Sequence, residues 1–301
     1  MPHGPTRIPT KGACIYCGAR DVRLTDEHIL PLSLGGQHVI EKASCLNCAD
    51  ITKKFEQDVA RELWGDARIS YNAPSRRKKN RPTHIQLRDP DLPNRVVKVR
   101  YSDYPAPFVF YKMGKAGLLA GLHESIDTSS AWQFSTIVDE ARANTFQEDF
   151  GIKLSAKFRH VPNSFARMLA KIGYGQVLAS LDPGEFEPIC LPYIIGSKSN
   201  LSFIVGGSMD VPPPDVDIGY NLQTISIGDS NRILLVTHLR LYANNHTPVY
   251  HVVVGEVSGV QRVQKALDKL GDGTDYITPD IIVSRSSGSL PHWMPVRWPL
   301  A

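Results

Sequence analysis

The spacing of hydrophobic residues divides the chain into a short first part and a longer second part. After Cys48, apolar residues recur every four positions from Ile51 to Leu63. This spacing predicts an amphipathic helix that ends near Gly65. Beyond residue 83 the pattern changes to short runs that are typical of strands. Strands are predicted at His84–Arg88, Val96–Tyr101, Phe108–Lys112, Ser202–Val205, Thr224–Ile227, Arg232–Tyr242 and Val249–Gly255.

Two further helices are predicted in the second part. Residues Ser164–Leu181 are strongly apolar and follow Pro162, a residue that favours a helix start. Val260–Leu270 has the spacing of an amphipathic helix. The mixture of strands and helices predicts an α+β domain with a mainly antiparallel sheet over residues 95–301, after a small module at 1–72 and a linker at 73–94.

The length and composition of the chain indicate how many domains it has and where in the cell it is located. A chain of 301 residues, with 42% hydrophobic and 21% charged residues, is typical of a folded protein of roughly two domains. It contains no uninterrupted apolar stretch of the roughly 20 residues that a membrane helix needs, and its first thirty residues have no apolar signal segment. We therefore expect a cytoplasmic protein without a membrane partner.

The positive charge is concentrated at the N-terminal end. Residues 1–90 hold 15 Lys and Arg against 10 Asp and Glu, a net charge of +5, and the rest of the chain has a net charge of −1. The linker contains five cations, Arg76, Arg77, Lys78, Lys79 and Arg81. Such a run either contacts the phosphates of a nucleic acid or is only a solvated connection, and composition leaves both readings open.

Four of the five cysteines are arranged in pairs. Cys14 and Cys17 form one C-x2-C pair, and Cys45 and Cys48 form the other. In a reducing compartment, this arrangement predicts a structural zinc site with four thiolate ligands rather than disulfides. Gly18 supports the prediction, because a glycine after the second thiolate can take a positive φ in the tight turn. Cys190 lies in an apolar run and is expected to be a buried free thiol.

The segment between the cysteine pairs contains the candidate chemistry. Glu27 directly precedes His28 at the end of a short apolar strand, and Gly35 and Gly36 follow. A carboxylate next to an imidazole can hold a divalent cation beside a base. An unperturbed imidazole, with a pKa near 6.5, is largely neutral at pH 7 and can accept a proton.

Residues 14–64 together resemble the HNH endonucleases that carry a four-cysteine zinc site. The resemblance is carried by the two cysteine pairs, by Glu27-His28-Ile29 with Pro31, and by Leu34-Gly35-Gly36. It implies a small zinc-stabilised ββα-metal fold. It also implies that His28 deprotonates the attacking water and that Glu27 binds a catalytic Mg2+ or Mn2+. Two metals with separate roles are therefore expected.

The chain departs from the family pattern directly after the last cysteine. HNH members usually have Asn or His there as a ligand of the catalytic cation, and this chain has Ala49. Asp50 is the preferred substitute, because a carboxylate binds a divalent cation better than an amide does and acids favour the first turn of a helix. Asn47 is the alternative, and the helix-start preference alone also explains Asp50.

Two functions are compatible with these features. The first is a metal-dependent endonuclease that hydrolyses DNA, with RNA not excluded as substrate. The second is a noncatalytic nucleic-acid-binding zinc module. Besides the linker cations, Lys53 and Lys54 on the helix after Cys48 are candidate DNA contacts. For the second domain, regulation, target recognition and assembly of a homodimer all stay open.

Overall fold

The computed structural model of the protein describes residues 6–75, 78–154, 157–215, 219–271, 274–278 and 281–285. The strands are β1 Thr6–Ile8, β2 Leu24–His28, β3 His38–Cys45, β4 His84–Arg88, β5 Val96–Arg100, β6 Phe108–Lys112, β7 Gln133–Ile137, β8 Val205–Gly207, β9 Tyr220–Gly228, β10 Arg232–Leu241, β11 Val249–Ser258, β12 Thr274–Thr278 and β13 Ile281–Arg285. The α-helices are α1 Leu46–Asp58, α2 Gly65–Ser70, α3 Glu140–Phe150, α4 Pro162–Val177, α5 Leu191–Ile195 and α6 Val260–Leu270.

The N-terminal part is a ββα unit. Strands β2 and β3 pair antiparallel, β1 adds to the other edge of β3, and α1 begins directly after β3. The connection between β2 and β3 depends on two glycines. Gly35 has a φ of +89°, and a Cβ on Gly36 would collide with the carbonyl oxygen of Leu30. Glycine is therefore required at both positions of the Gly-Gly turn.

The C-terminal part is built on a six-stranded antiparallel sheet in the order β12-β13-β9-β10-β11-β8. Two separate two-stranded antiparallel sheets, β4–β5 and β6–β7, lie outside this sheet. The mixed helices and antiparallel sheets confirm the predicted α+β class. No helix in the described ranges is both long and apolar enough to cross a membrane.

Helix α4 lies between the six-stranded sheet and the ββα unit, and it is buried along most of its length. Its glycines allow close approach on both sides. A Cβ on Gly173 would lie 3.0 Å from Val252 of β11, and a Cβ on Gly175 would lie 3.2 Å from Ile29 after β2. The ββα unit therefore packs directly on the larger part of the chain, and the domain limits at residues 72 and 95 stay predictions.

Trp64 anchors the end of the first helical segment in the same core. A π-helical turn, Val59–Leu63, continues α1. The Trp64 indole then donates a 2.7 Å hydrogen bond to the Val109 carbonyl and packs edge-on against Phe165 of α4. The helical segment ends at Leu63, two residues before the predicted stop near Gly65, where α2 begins.

The second part also corrects several sequence predictions. The strand predicted at Ser202–Val205 is wrong. Residues Leu201–Phe203 form a 3-10 turn, in which the Ser202 hydroxyl donates to Asp127 and accepts from the Thr128 backbone N–H, and β8 begins only at Val205. Strand β7 and helices α3 and α5 were not predicted. By contrast, β6 and α6 have the predicted limits.

Candidate functional site

The four paired cysteines form one cluster. Their Sγ atoms all lie within 4.8 Å of one another, and the Sγ atoms of Cys17 and Cys45 are 3.7 Å apart. A tetrahedral zinc with bonds of about 2.3 Å to sulfur places its ligands about 3.8 Å apart. The cluster is therefore positioned to bind a metal ion, and four thiolates favour zinc. The predicted clustering of the four cysteines for metal binding is confirmed.

The four cysteines are held in place by the turn at residues 14–18 and by the end of β3. Gly18 has a φ of +71° and closes the first turn by donating its N–H to the Cys14 carbonyl. The Cys45 backbone N–H donates to the Cys14 sulfur from the end of β3. Burial, together with the neighbouring sulfur atoms, raises the pKa of Cys48 well above its ordinary value. A cation coordinated by the cluster would oppose this shift, because coordination favours the thiolate.

A β-bulge controls how β2 presents its last residues. Thr25 pairs with Ser44, but Glu27 pairs with Ile40, so β3 carries extra residues opposite Asp26. Lys42 in this bulge has a φ of +46°, and its N–H donates to Asp26 Oδ1. Bulges of this kind redirect side chains and often lie beside functional sites.

A groove of about 1320 Å³ runs between the β2–β3 hairpin and α1. His28, Glu27 and Glu56 all line it, and His28 is half-buried there. Six cationic side chains line the same groove, namely Arg7, Arg23, Lys42, Lys53, Arg61 and Arg68. Asp26 lines it too, so the groove combines an imidazole and three carboxylates with six cations, and this excess of positive charge suits a polyanionic ligand.

Glu27, the predicted ligand of the catalytic cation, is buried and forms an ion pair with a lysine from α4. Its Oε1 lies 2.8 Å from the Nζ of Lys171, and Oε1 of Glu56 lies 2.8 Å from the same nitrogen. Lys171 also donates a hydrogen bond to the backbone carbonyl of His28. Burial alone would lower the pKa of Lys171, but the two carboxylates raise it. Burial raises the pKa of Glu27, while Lys171 opposes that shift.

Helix α1 contributes Glu56 rather than Asp50 to the groove. Ala49, Thr52, Lys53 and Glu56 line the groove, which is the face expected from a helical repeat of about 3.6 residues. Asp50 is exposed and is not among the groove-lining residues. The same spacing, counted from Ala49, could have identified Glu56 in the sequence.

The residues of the groove fit a hard divalent cation. Glu27 and Glu56 supply carboxylate oxygens, the ligand type that Mg2+ and Mn2+ prefer. With Lys171 counted, the two carboxylates and the ammonium keep a net charge of −1. Cation binding at Glu27 stays a prediction, and Glu56 is a better partner for Glu27 than the predicted Asp50 because Glu56 lies in the groove.

The predicted nucleic-acid contacts are distributed unevenly. Lys53 lines the groove, while Lys54 is exposed but is not among the groove-lining residues. Arg81 donates a 2.7 Å hydrogen bond to the Ala73 carbonyl, which gives it a structural role in the linker. Lys79 is exposed. Arg76, Arg77 and the side chain of Lys78 lie outside the described residues, but Pro74 and Ser75, which directly precede them, line the groove.

Comparison with known proteins identifies the N-terminal module. Residues 14–63 match the family model of the HNH endonucleases, which confirms the resemblance over the four cysteines, β2, β3 and α1. No curated protein shows a significant match to the chain. No solved structure shows one either. The family match indicates a nuclease or nucleic-acid-binding function for the module and a nucleic acid as its ligand.

Proposed function

We propose that the protein is a metal-dependent endonuclease that hydrolyses phosphodiester bonds in DNA. The observation that carries the proposal is the groove. It brings His28, Glu27 and Glu56 together among cationic side chains within the segment that matches the HNH endonucleases. An imidazole, a carboxylate pair and a basic surface are the three components that hydrolysis of a phosphate diester requires.

His28 acts as the general base in this proposal. Its imidazole accepts a proton from a water molecule as the water oxygen forms a bond to phosphorus. The bond between phosphorus and the leaving sugar oxygen then breaks. A base placed in this way typically accelerates such a step by about 10²- to 10⁴-fold. His28 is half-buried and lines the groove in which the substrate would bind.

Glu27 and Glu56 would hold the divalent cation. When bound, the cation stabilises the negative charge that develops on the phosphate and on the leaving oxygen. The carboxylates would hold it in the groove that His28 also lines. The four cysteines have a separate role, because a closed thiolate tetrahedron leaves no position for a substrate.

The alternative is a noncatalytic module that binds nucleic acid. Two observations favour it: Ala49 replaces the usual ligand after the last cysteine, and Glu27 already forms an ion pair with Lys171. Under this alternative, the cationic groove binds the phosphates of a nucleic acid, and the carboxylates of Glu27 and Glu56 only stabilise the fold.

A cleavage assay on matched substrates separates the two functions. Zinc-loaded full-length protein is incubated with end-labelled duplex DNA, and with RNA of the same sequence, in metal-free buffer with or without Mg2+ or Mn2+. We expect the DNA to be cut only when a divalent cation is present. Binding without cleavage, detected by fluorescence anisotropy on the same duplex, would support the noncatalytic alternative.

The groove cations give a prediction about binding. Changing Arg23, Lys53 and Arg61 to glutamine should weaken DNA binding for every sequence, because each phosphate contact releases condensed counterions. The log–log slope of affinity against salt should fall by about 0.9 for each phosphate contact that the substitutions remove. Anisotropy titrations at several salt concentrations measure this slope. The control variant neutralises Lys198, Arg262 and Lys265, which do not line the groove, and its slope should match the wild type.

The linker tract is tested separately. The variant changes Arg76, Arg77, Lys78 and Lys79 to glutamine and keeps Arg81, because Arg81 bonds to the Ala73 carbonyl. If the tract continues the groove beyond Ser75, the salt slope should again fall by about 0.9 for each phosphate that the tract neutralises. A slope equal to that of the wild type would make the tract a solvated connection.

A further inference from the structure

A buried lysine from the larger part of the chain contacts the carboxylates of the candidate site. Lys171 lies in α4, and its side chain is only 1% exposed. Its ammonium contacts oxygen atoms from three places: the carboxylate of Glu27 on β2, the carboxylate of Glu56 on α1, and the backbone carbonyl of His28. Three oxygen atoms therefore contact one buried ammonium group.

The same two carboxylates reach the groove from the other side. Glu27 and Glu56 line the groove, whereas Lys171 does not. The Glu56 side chain is 23% exposed, so the pair is not sealed from solvent. The Lys171 ammonium and a divalent cation in the groove would both be attracted to these carboxylates. Because both are positively charged, the presence of one weakens the binding of the other. Without any cation, two carboxylates in this partly buried place would repel each other.

We propose that Lys171 is a positioning residue that holds Glu27 and Glu56 together and sets how tightly the pair binds a divalent cation in the groove. This inference rests on the proposed function, since it concerns the cation that the pair would hold there. It also gives the larger domain a role in the site. Helix α4 supplies the internal positive charge, so the metal affinity of the ββα unit depends on its contact with that helix.

The test measures Mn2+ binding rather than cleavage. Lys171→Met and Lys171→Gln are prepared in the full-length, zinc-loaded protein. Mn2+ affinity is measured by isothermal titration calorimetry, and Tm is measured with and without Mn2+. Lys171→Gln removes the charge but keeps a hydrogen-bond donor, so it provides the measurement if the methionine variant does not fold.

We expect both variants to bind Mn2+ at least about tenfold more tightly than the wild type, because a competing positive charge has been removed. Without Mn2+ their Tm should be lower, since the carboxylates lose their partner, and Mn2+ should raise it by more than it raises the wild-type Tm. Glu56→Gln should weaken Mn2+ binding. The matched control is Lys198→Met, which removes an exposed lysine paired with Glu124 at 2.8 Å and should leave Mn2+ affinity unchanged.

The outcomes distinguish this inference from the proposed function. If the wild type binds Mn2+ and cuts DNA, but the Lys171 variants bind Mn2+ with unchanged or weaker affinity, the inference is overturned and the nuclease stands. If the variants gain Mn2+ binding while no form cuts DNA, the inference stands and the proposed function fails. If no form binds Mn2+ beyond its zinc, both are overturned.

Discussion

Replacing His28 with alanine is expected to lower the rate of DNA cleavage by about 10²- to 10⁴-fold, the usual contribution of a general base. His28 lies at the end of β2 and lines the groove. Lys171 contacts the backbone carbonyl of this residue rather than the imidazole, so the substitution leaves that hydrogen bond in place. The rate is measured with excess enzyme on a labelled duplex, in the presence of Mn2+.

Three controls define this result. Zinc content and DNA affinity should stay close to the wild-type values, because the cysteines and the groove cations are unchanged. His84→Ala is the matched control, since His84 is an exposed histidine on β4 that does not line the groove, and it should cut at the wild-type rate. A His28→Ala protein that cuts as fast as the wild type would exclude His28 as the base.

Replacing Cys45 with serine is expected to release the metal and unfold the N-terminal module. Cys45 ends β3 and lies directly before α1, so its thiolate would tie the hairpin to the helix through a bound zinc. Structural zinc in small domains contributes about 10–16 kcal/mol, which is as large as the whole stability of a typical domain. Elemental analysis should show one zinc per chain in the wild type and none in the variant.

Unfolding of the N-terminal module should also make the larger domain easier to cleave with proteases. The Tyr174 hydroxyl of α4 donates a 2.7 Å hydrogen bond to the Ile15 carbonyl, and Gly175 packs against Ile29. Unfolding of the module therefore uncovers this face of α4 and should increase cleavage by proteases. Cys190→Ala is the control, because Cys190 is a buried thiol outside the cluster and its replacement should leave one zinc per chain. A folded Cys45→Ser protein with full zinc content would refute the assignment.

The cysteine cluster and several elements could be predicted from sequence because their signals are local. Each C-x2-C pair spans four residues, and α6 has an uninterrupted helical repeat with the limits that the structure shows. Gly35 and Gly36 likewise identify their own turn, since one has a positive φ and the other contacts the Leu30 carbonyl. Signals of this kind need no knowledge of distant residues.

The contact of Lys171 with the carboxylates of the candidate site could not be predicted in this way. Lys171 follows Glu27 by 144 positions, and no periodic pattern connects the two residues. A lysine in a helix is ordinarily exposed, and only the packing of α4 between the sheet and the ββα unit buries this one. Glu56 is within reach of a helical count from Ala49, but Asp50 carries the stronger local signal because acids favour the first turn of a helix.

The basic groove of the N-terminal module is proposed to cut DNA with the help of a divalent cation, and a plasmid assay tests this most directly. Zinc-loaded, full-length protein is incubated with supercoiled plasmid, first in metal-free buffer and then after addition of Mg2+ or Mn2+. We expect an intact plasmid before the addition, and conversion to nicked and linear forms after it. A plasmid that stays supercoiled with both metals, while a gel shift shows that the protein is bound to it, would contradict the proposal.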